Sequence, residues 1–210
     1  MSEYALYAKA LIGLLAIINP LGAIPIFLSL CGEKPLGEYR QIARTSAMSV
    51  ALILLLAIWG GEAILNFFGI GIPAFRTGGG LLILLMAISM LHARQSHTQQ
   101  TPHEADEANN KESIAVVPLA IPLMAGPGAI SLVIVDAHQM ASLGGRMFMS
   151  AGIVVVAVAV WIALSMAVPI GKKLGITGLN IATRIMGLLL AAIGIQMLTS
   201  GLLKLLPGLA

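Results

Sequence analysis

The chain has 210 residues, of which 58% are hydrophobic and 10% charged, with a formal net charge of +3. A soluble domain carries about 25% charged residues, so this composition excludes an ordinary water-soluble globule and points to an integral membrane protein. So small a net charge gives no sign of a nucleic-acid partner.

Uncharged windows run over 10–32, 45–61, 77–93, 113–135, 147–171 and 185–203. Each approaches the length a helix needs to cross a hydrocarbon core of ~30 Å. The expected fold is an all-α membrane protein of six transmembrane helices in a lipid bilayer. No run of short segments with alternating polarity supports a β-barrel. The second window can extend past Glu62 towards Phe68.

In chain order, the start MSEY with a single lysine and no A-x-A site reads as a retained first helix rather than a cleaved signal. No lipidation motif is present at either end. The first helix holds AIINPLGAIPIFL, residues 16–28, which packs Asn19, Pro20, Gly22 and Pro25 into an apolar stretch. Proline lacks an N–H and glycine weakens a helix, so this helix is expected to break near the bilayer midplane. Cys31 is the single cysteine, which excludes an intramolecular disulfide and a cysteine-based zinc cluster. Glu62, at the far end of the second helix, is expected in solvent at the interface. The third helix opens on Gly78-Gly79-Gly80, which is no phosphate loop because no Gly-Lys-Ser/Thr follows.

Residues 92–113 form the long polar stretch, a flexible linker by composition. His92, His97 and His103 lie in or beside it at a spacing that fits no strong metal motif. No metal site or cofactor is expected. The fourth helix, VVPLAIPLMAGPGAISLVIV, carries Pro118, Pro122, Gly126, Pro127 and Gly128 and is expected to break like the first. Asp136 follows it and is expected in solvent. In the sixth helix Gly187, Ala191 and Gly194 form a small-residue stripe, matched by Gly80 and Ala87 of the third, which lets helices pack closely.

The linker separates two blocks, 1–91 and 114–210, that resemble each other. Gly22-Ala23-Ile24 aligns with Gly128-Ala129-Ile130, and Phe68-Gly69-Ile70 with Leu174-Gly175-Ile176, both at an offset of 106. Gly80-Leu81-Leu82 aligns with Gly187-Leu188-Leu189, and Met90-Leu91 with Met197-Leu198, both at 107. A repeat of three crossings enters the membrane from opposite sides. The two blocks would form one transmembrane domain with an inverted repeat, a plan found mainly in transporters.

Freed backbone groups are costly in hydrocarbon unless protein or a polar cavity satisfies them. Two breaks at equivalent places would meet near the midplane. Half-helices starting near Gly22 and Gly128 present N–H groups that favour a carboxylate. Half-helices ending near Ile18 and Met124 present carbonyls that favour an ammonium, and the Asn19 amide adds a donor and an acceptor. The candidate substrate-binding residues are Asn19, Pro20, Gly22, Ala23, Pro25, Gly126, Pro127, Gly128 and Ala129, with Ser89 and Gln196 as secondary candidates. A small zwitterion suits such a site. The alternative is a pair of proline kinks that only shape packing.

Asn19-Pro-Leu-Gly-Ala-Ile-Pro-Ile-Phe27 and Pro118-Leu-Ala-Ile-Pro-Leu-Met-Ala-Gly-Pro-Gly-Ala-Ile130 resemble the two signature stretches of the MarC family. Thr183-Arg-Ile-Met-Gly-Leu-Leu-Leu190 is similar to that family as well. The resemblance implies a multi-pass protein of the bacterial inner membrane. It also implies kinship with transporters of small neutral amino acids such as glycine and alanine, driven by a proton gradient. Basic residues follow helices 1, 3 and 5 eight to four over the other side, which puts the odd loops in the cytoplasm and both termini outside.

The leading expectation is therefore a secondary transporter for small neutral amino acids working by alternating access. An exporter of another small metabolite and a non-transporting membrane scaffold or assembly factor stand as alternatives. An enzyme is not expected, because no nucleophile has an activating base in view. The oligomeric state stays open, a homo-oligomer included.

Overall fold

The computed structural model describes residues 3–32, 35–92, 120, 124–140 and 142–209. Most of the linker and the first half of the fourth window, with Pro118 and Pro122, lie outside the described residues, as do His97 and His103.

The described chain is helical. Helix α1 spans Glu3–Ile18, α2 Pro20–Cys31, α3 Leu36–Phe67 and α4 Ile72–Leu91. After the undescribed stretch, α5 spans Pro127–Gln139, α6 Leu143–Ser165 and α7 Ala167–Leu205, with a last 3-10 turn at Pro207–Leu209. Five segments among the described residues are long and apolar enough to cross a membrane, α1 and α2 counting together as Leu6–Cys31. The second window indeed runs past Glu62, and α3 reaches Phe67.

Outward faces are as apolar as the interior. Ile12, Leu56, Phe67, Val155 and Leu188 are all more than half exposed. In water such patches mark interaction sites or liabilities; around a membrane bundle they are the lipid-facing surface. The buried core is built from one face of each helix, with Leu14, Phe27, Leu54, Ile83, Met149 and Leu190 among its members.

Small residues set the helix spacing. α4 and α7 touch backbone to backbone. A Cβ on Gly80 would stand 2.6 Å from the Leu198 nitrogen, and one on Gly194 would stand 2.9 Å from the Gly80 carbonyl oxygen. Gly187 meets the Ala87 carbonyl oxygen in the same way, at 3.2 Å. The expected stripe of Gly187 and Gly194 facing Gly80 and Ala87 is therefore the crossing itself. Around this pair, α2 packs on α7, α5 on α4, α3 on α6 and on α5, and α2 on α6.

Polar groups fasten the ends. Tyr39 Oη donates to the Gly32 carbonyl oxygen at 2.6 Å, tying the end of α2 to α3, and the Tyr39 ring stands edge-on to Phe27. Glu62 of α3 accepts from Arg146 of α6 at 2.6 Å and contacts His138 of α5 at 3.0 Å. It is partly exposed, as expected, and is also the clasp between three helices. Gly69 and Gly175, two residues aligned by the repeat, both have positive φ, 68° and 62°. Gly69 lies in the turn before α4; Gly175 kinks α7 before its long crossing part.

Candidate functional site

Asn19 stands between α1 and α2 in the left-handed region, at φ 43° and ψ 65°. It is the only non-glycine residue with positive φ among the described residues. The sequence explains the choice. Pro20 disfavours a right-handed helical conformation in the residue before it, and Asn tolerates the left-handed one better than most side chains. The backbone turns with little loss. Asn19 N still donates to the Leu15 carbonyl at 3.0 Å, and Ala23 N donates to the Asn19 carbonyl at 3.1 Å. Asn19 Oδ1 accepts from Gly22 N at 3.2 Å and so caps α2. The Ala16 carbonyl is left without its i+4 donor, since Pro20 has no N–H.

Gly22 is required by this fold-back. A Cβ there would collide with the Asn19 amide and come within 3.0 Å of Thr183 Oγ1 on α7. Asn19, Pro20 and Gly22 are half-buried, Ala23 is buried and Pro25 faces outward. The acceptor of the Asn19 amide is therefore engaged by its own helix, which leaves its Nδ2 end as the group to offer a ligand.

The second break has a different build. Ala125 N donates to the Ala120 carbonyl at 2.9 Å, an i→i−5 bond wider than an α-turn. Gly126 is extended at φ −75° and ψ 178°, and Pro127 begins α5. No side chain caps this helix end. Gly126, Gly128 and Ala129 are buried while Pro127 is exposed. Gly128 fits against α4, where a Cβ would stand 3.0 Å from Met86 Sδ and 3.2 Å from Ile83.

The two breaks thus rest on the α4–α7 pair. The nearest neighbours of a side chain begun at Gly22 include Thr183 of α7, and at Gly128 they are Met86 and Ile83 of α4. Neither set belongs to the opposite break, although α1 and α5 do pack together farther out, where a Cβ on Gly13 would stand 3.5 Å from Leu132. Thr183 was not among the candidates from sequence. Its signals were its place at the head of the family-like stretch Thr183–Leu190 and its offset of 107 from Arg76.

The secondary candidates separate. Ser89 Oγ donates back to the Leu85 carbonyl at 3.1 Å, a bond internal to α4. Gln196 Oε1 accepts from Lys9 Nζ at 3.2 Å and lines a cavity with Asp136 and Arg76. Asp136 is consequently half-buried in a cavity wall, not in open solvent as its position after the fourth window suggested. Its two charged neighbours, Lys9 and Arg76, come from two other segments of the chain, which spacing alone does not bring together.

Known proteins give a consistent picture. Residues 4–206 match the family described as MarC family integral membrane protein. The chain is 40% identical over 207 residues to the UPF0056 membrane protein YhcE of Escherichia coli (strain K12), covering 99% of this chain and 96% of the relative. It is 35% identical over 205 residues to the UPF0056 membrane protein YvbG of Bacillus subtilis (strain 168), covering 97% of each. The UPF0056 membrane protein MJ0972 of Methanocaldococcus jannaschii is 36% identical over 199 residues, covering 95% of this chain and 87% of that one. No solved structure matches the chain.

Proposed function

We propose that this chain, which belongs to the MarC family of integral membrane proteins, is a secondary transporter for small neutral amino acids of the glycine and alanine type. It works by alternating access in the bacterial inner membrane, with both termini outside. The observation that carries the reading is Asn19, a left-handed residue with a carboxamide, set where one apolar span is interrupted. The kink and its cap use the Asn19 backbone and Oδ1 alone, and the Nδ2 end is left over for a ligand. A ligand site needs a polar group on freed backbone, and Asn19 supplies both.

Two observations support the inverted repeat. The repeat-aligned Gly69 and Gly175 share a positive φ. The main packed pairs of α2 to α7 are also kept when the blocks are exchanged. Exchanging them turns α2 on α7 into α5 on α4, and α3 on α5 into α6 on α2, while α3–α6 and α4–α7 map onto themselves. The six-helix count follows if residues 113–126 supply the missing half of helix 4. Two similar halves can then trade inward-open and outward-open states about the α4–α7 crossing.

The carboxylate of the substrate would meet the first turn of α5, whose N-terminus no side chain caps. Its ammonium would meet the freed Ala16 carbonyl at the end of α1 and Thr183 Oγ1, while the Asn19 Nδ2 group would donate to the carboxylate. A small substrate suits breaks packed this closely against Thr183 and Met86. A proton gradient as the driving force rests on the family likeness. The test is uptake of labelled glycine and alanine into proteoliposomes across imposed pH and sodium gradients, preceded by a thermal-shift screen of the common amino acids. Uptake by wild type that Asn19→Ala abolishes is the expected result; undiminished uptake by that variant overturns the site.

A further inference from the structure

Three charged side chains that the breaks leave unused converge at one end of the bundle. Lys9 of α1, Arg76 of α4 and Asp136 of α5 line a cavity of about 170 Å³, and Gln139, Gln196 and Ser200 complete its polar wall. Gly13, also on that wall, lies six residues before Asn19, and Asp136 lies eight after Gly128. At 1.5 Å per helical residue those separations are ~9 and ~12 Å, so the cavity stands between the breaks and one end of the bundle.

The charges face the cavity rather than one another. Lys9 and Arg76 are the charged neighbours of Asp136. Yet among the described residues Asp136 closes an ion pair with neither. Arg76 Nε is buried without a hydrogen-bond partner among the described residues. At the same end of the bundle Glu62 does close onto Arg146, at 2.6 Å, and onto His138, at 3.0 Å. Lys9 is exposed while Arg76 and Asp136 are half-buried, so two of the three charges are partly withdrawn from solvent without closing on each other. A group that carries both signs would satisfy them.

We propose that this cavity is a vestibule that binds a small zwitterion: its carboxylate sits on Arg76 and Lys9, its ammonium on Asp136. Gln139 and Gln196 offer amides to the remaining polar atoms. The ligand class rests on the transport reading, and the cavity adds to it a loading site on one face only. The repeat explains the one-sidedness. Its offsets put Thr183 opposite Arg76 and Leu30 opposite Asp136, so these two charges are not repeated at their counterpart positions. Substrate would be selected for both charges here before it reaches the breaks, which then select for size.

The test is thermal stabilisation of the detergent-purified full chain by glycine, with acetate and ethylamine as single-charge probes. Each variant is compared with its own ligand-free melting temperature. Wild type is stabilised by glycine and far less by acetate or ethylamine. Asp136→Asn and Arg76→Gln need about tenfold more glycine for the same stabilisation, the loss expected for one charged hydrogen bond. Asp136→Glu recovers most of the response, and Glu62→Gln, which removes a carboxylate outside the cavity, keeps the wild-type response. Undiminished stabilisation of Asp136→Asn and Arg76→Gln overturns the vestibule, as does a wild type that does not respond to glycine, or one that responds equally to acetate. Uptake into proteoliposomes from the same preparations separates the two proposals. Wild-type uptake with unaltered stabilisation in both cavity variants overturns the vestibule alone. Stabilisation lost in those variants with no wild-type uptake supports the vestibule and overturns transport.

Discussion

Asn19 does two jobs, and two substitutions separate them. Its backbone occupies the left-handed region and its amide caps α2. Asn19→Ala loses both, at ~1–2 kcal/mol for the backbone and ~1 kcal/mol for the cap. Asn19→Gly keeps the backbone without strain and gives up only the amide, so it costs a few tenths of a kcal/mol as an N-cap. We expect Asn19→Gly to melt near wild type and Asn19→Ala clearly below it in the same detergent, with uptake lost in both. Retained uptake in the glycine variant would make Asn19 a hinge rather than a ligand-binding residue. The sequence pointed to this residue because an amide beside two prolines in an apolar run has few structural uses. It could not tell that Oδ1 turns back onto Gly22, since that depends on which rotamer the left-handed backbone allows. It also gave no hint that Thr183 closes over the same glycine.

At the level of elements, the α4–α7 crossing carries the most demanding packing. Gly80, Gly187 and Gly194 admit no Cβ without moving a neighbouring backbone. Gly194→Val is expected to destabilise by at least the ~1–3 kcal/mol of an overpacked core site, lowering the melting temperature and the yield of folded protein. Gly175→Ala tests a different cost. Open space surrounds Gly175, but its φ of 62° and ψ of 178° belong to a region that side chains avoid. The expected loss is ~1–3 kcal/mol from backbone strain alone. Glu62→Gln should cost about 1 kcal/mol or less, because the carboxylate it removes is partly exposed. A Glu62→Gln loss larger than that of either glycine variant would contradict the packing account. Small-residue spacing made the crossing legible in the sequence, because glycine at helical intervals has a narrow meaning in membrane helices. The same cue did not foretell which helices would pair, since α2 on α7 and α5 on α4 depend on how the two blocks interlock. Asp136 shows the limit most clearly: its place at the very end of the apolar window suggested solvent, whereas its surroundings come from α1, α4 and α7.

For the whole molecule, composition alone was sufficient for membrane residence, because 10% charge over 210 residues leaves no other solvent for these helices. Window length pointed to the five spans found among the described residues, and the offset of 106 to 107 suggested the two blocks. Orientation is a separate matter, carried by eight basic residues against four. Single cysteines at Ser2, Ser96 and Gly208, in a chain with Cys31 replaced, test it in intact cells with a membrane-impermeant maleimide. Labelling at positions 2 and 208 and protection at 96 is expected. The reverse pattern would turn the molecule over and place the Lys9–Arg76–Asp136 cavity on the cytoplasmic face. The central claim is that the interruption at Asn19 is half of a substrate site in a transporter. Counterflow of labelled glycine in proteoliposomes tests it most directly, with wild type and Asn19→Gly reconstituted at equal folded amounts. The account predicts exchange by wild type and none above empty liposomes for the variant; equal exchange by both would contradict it.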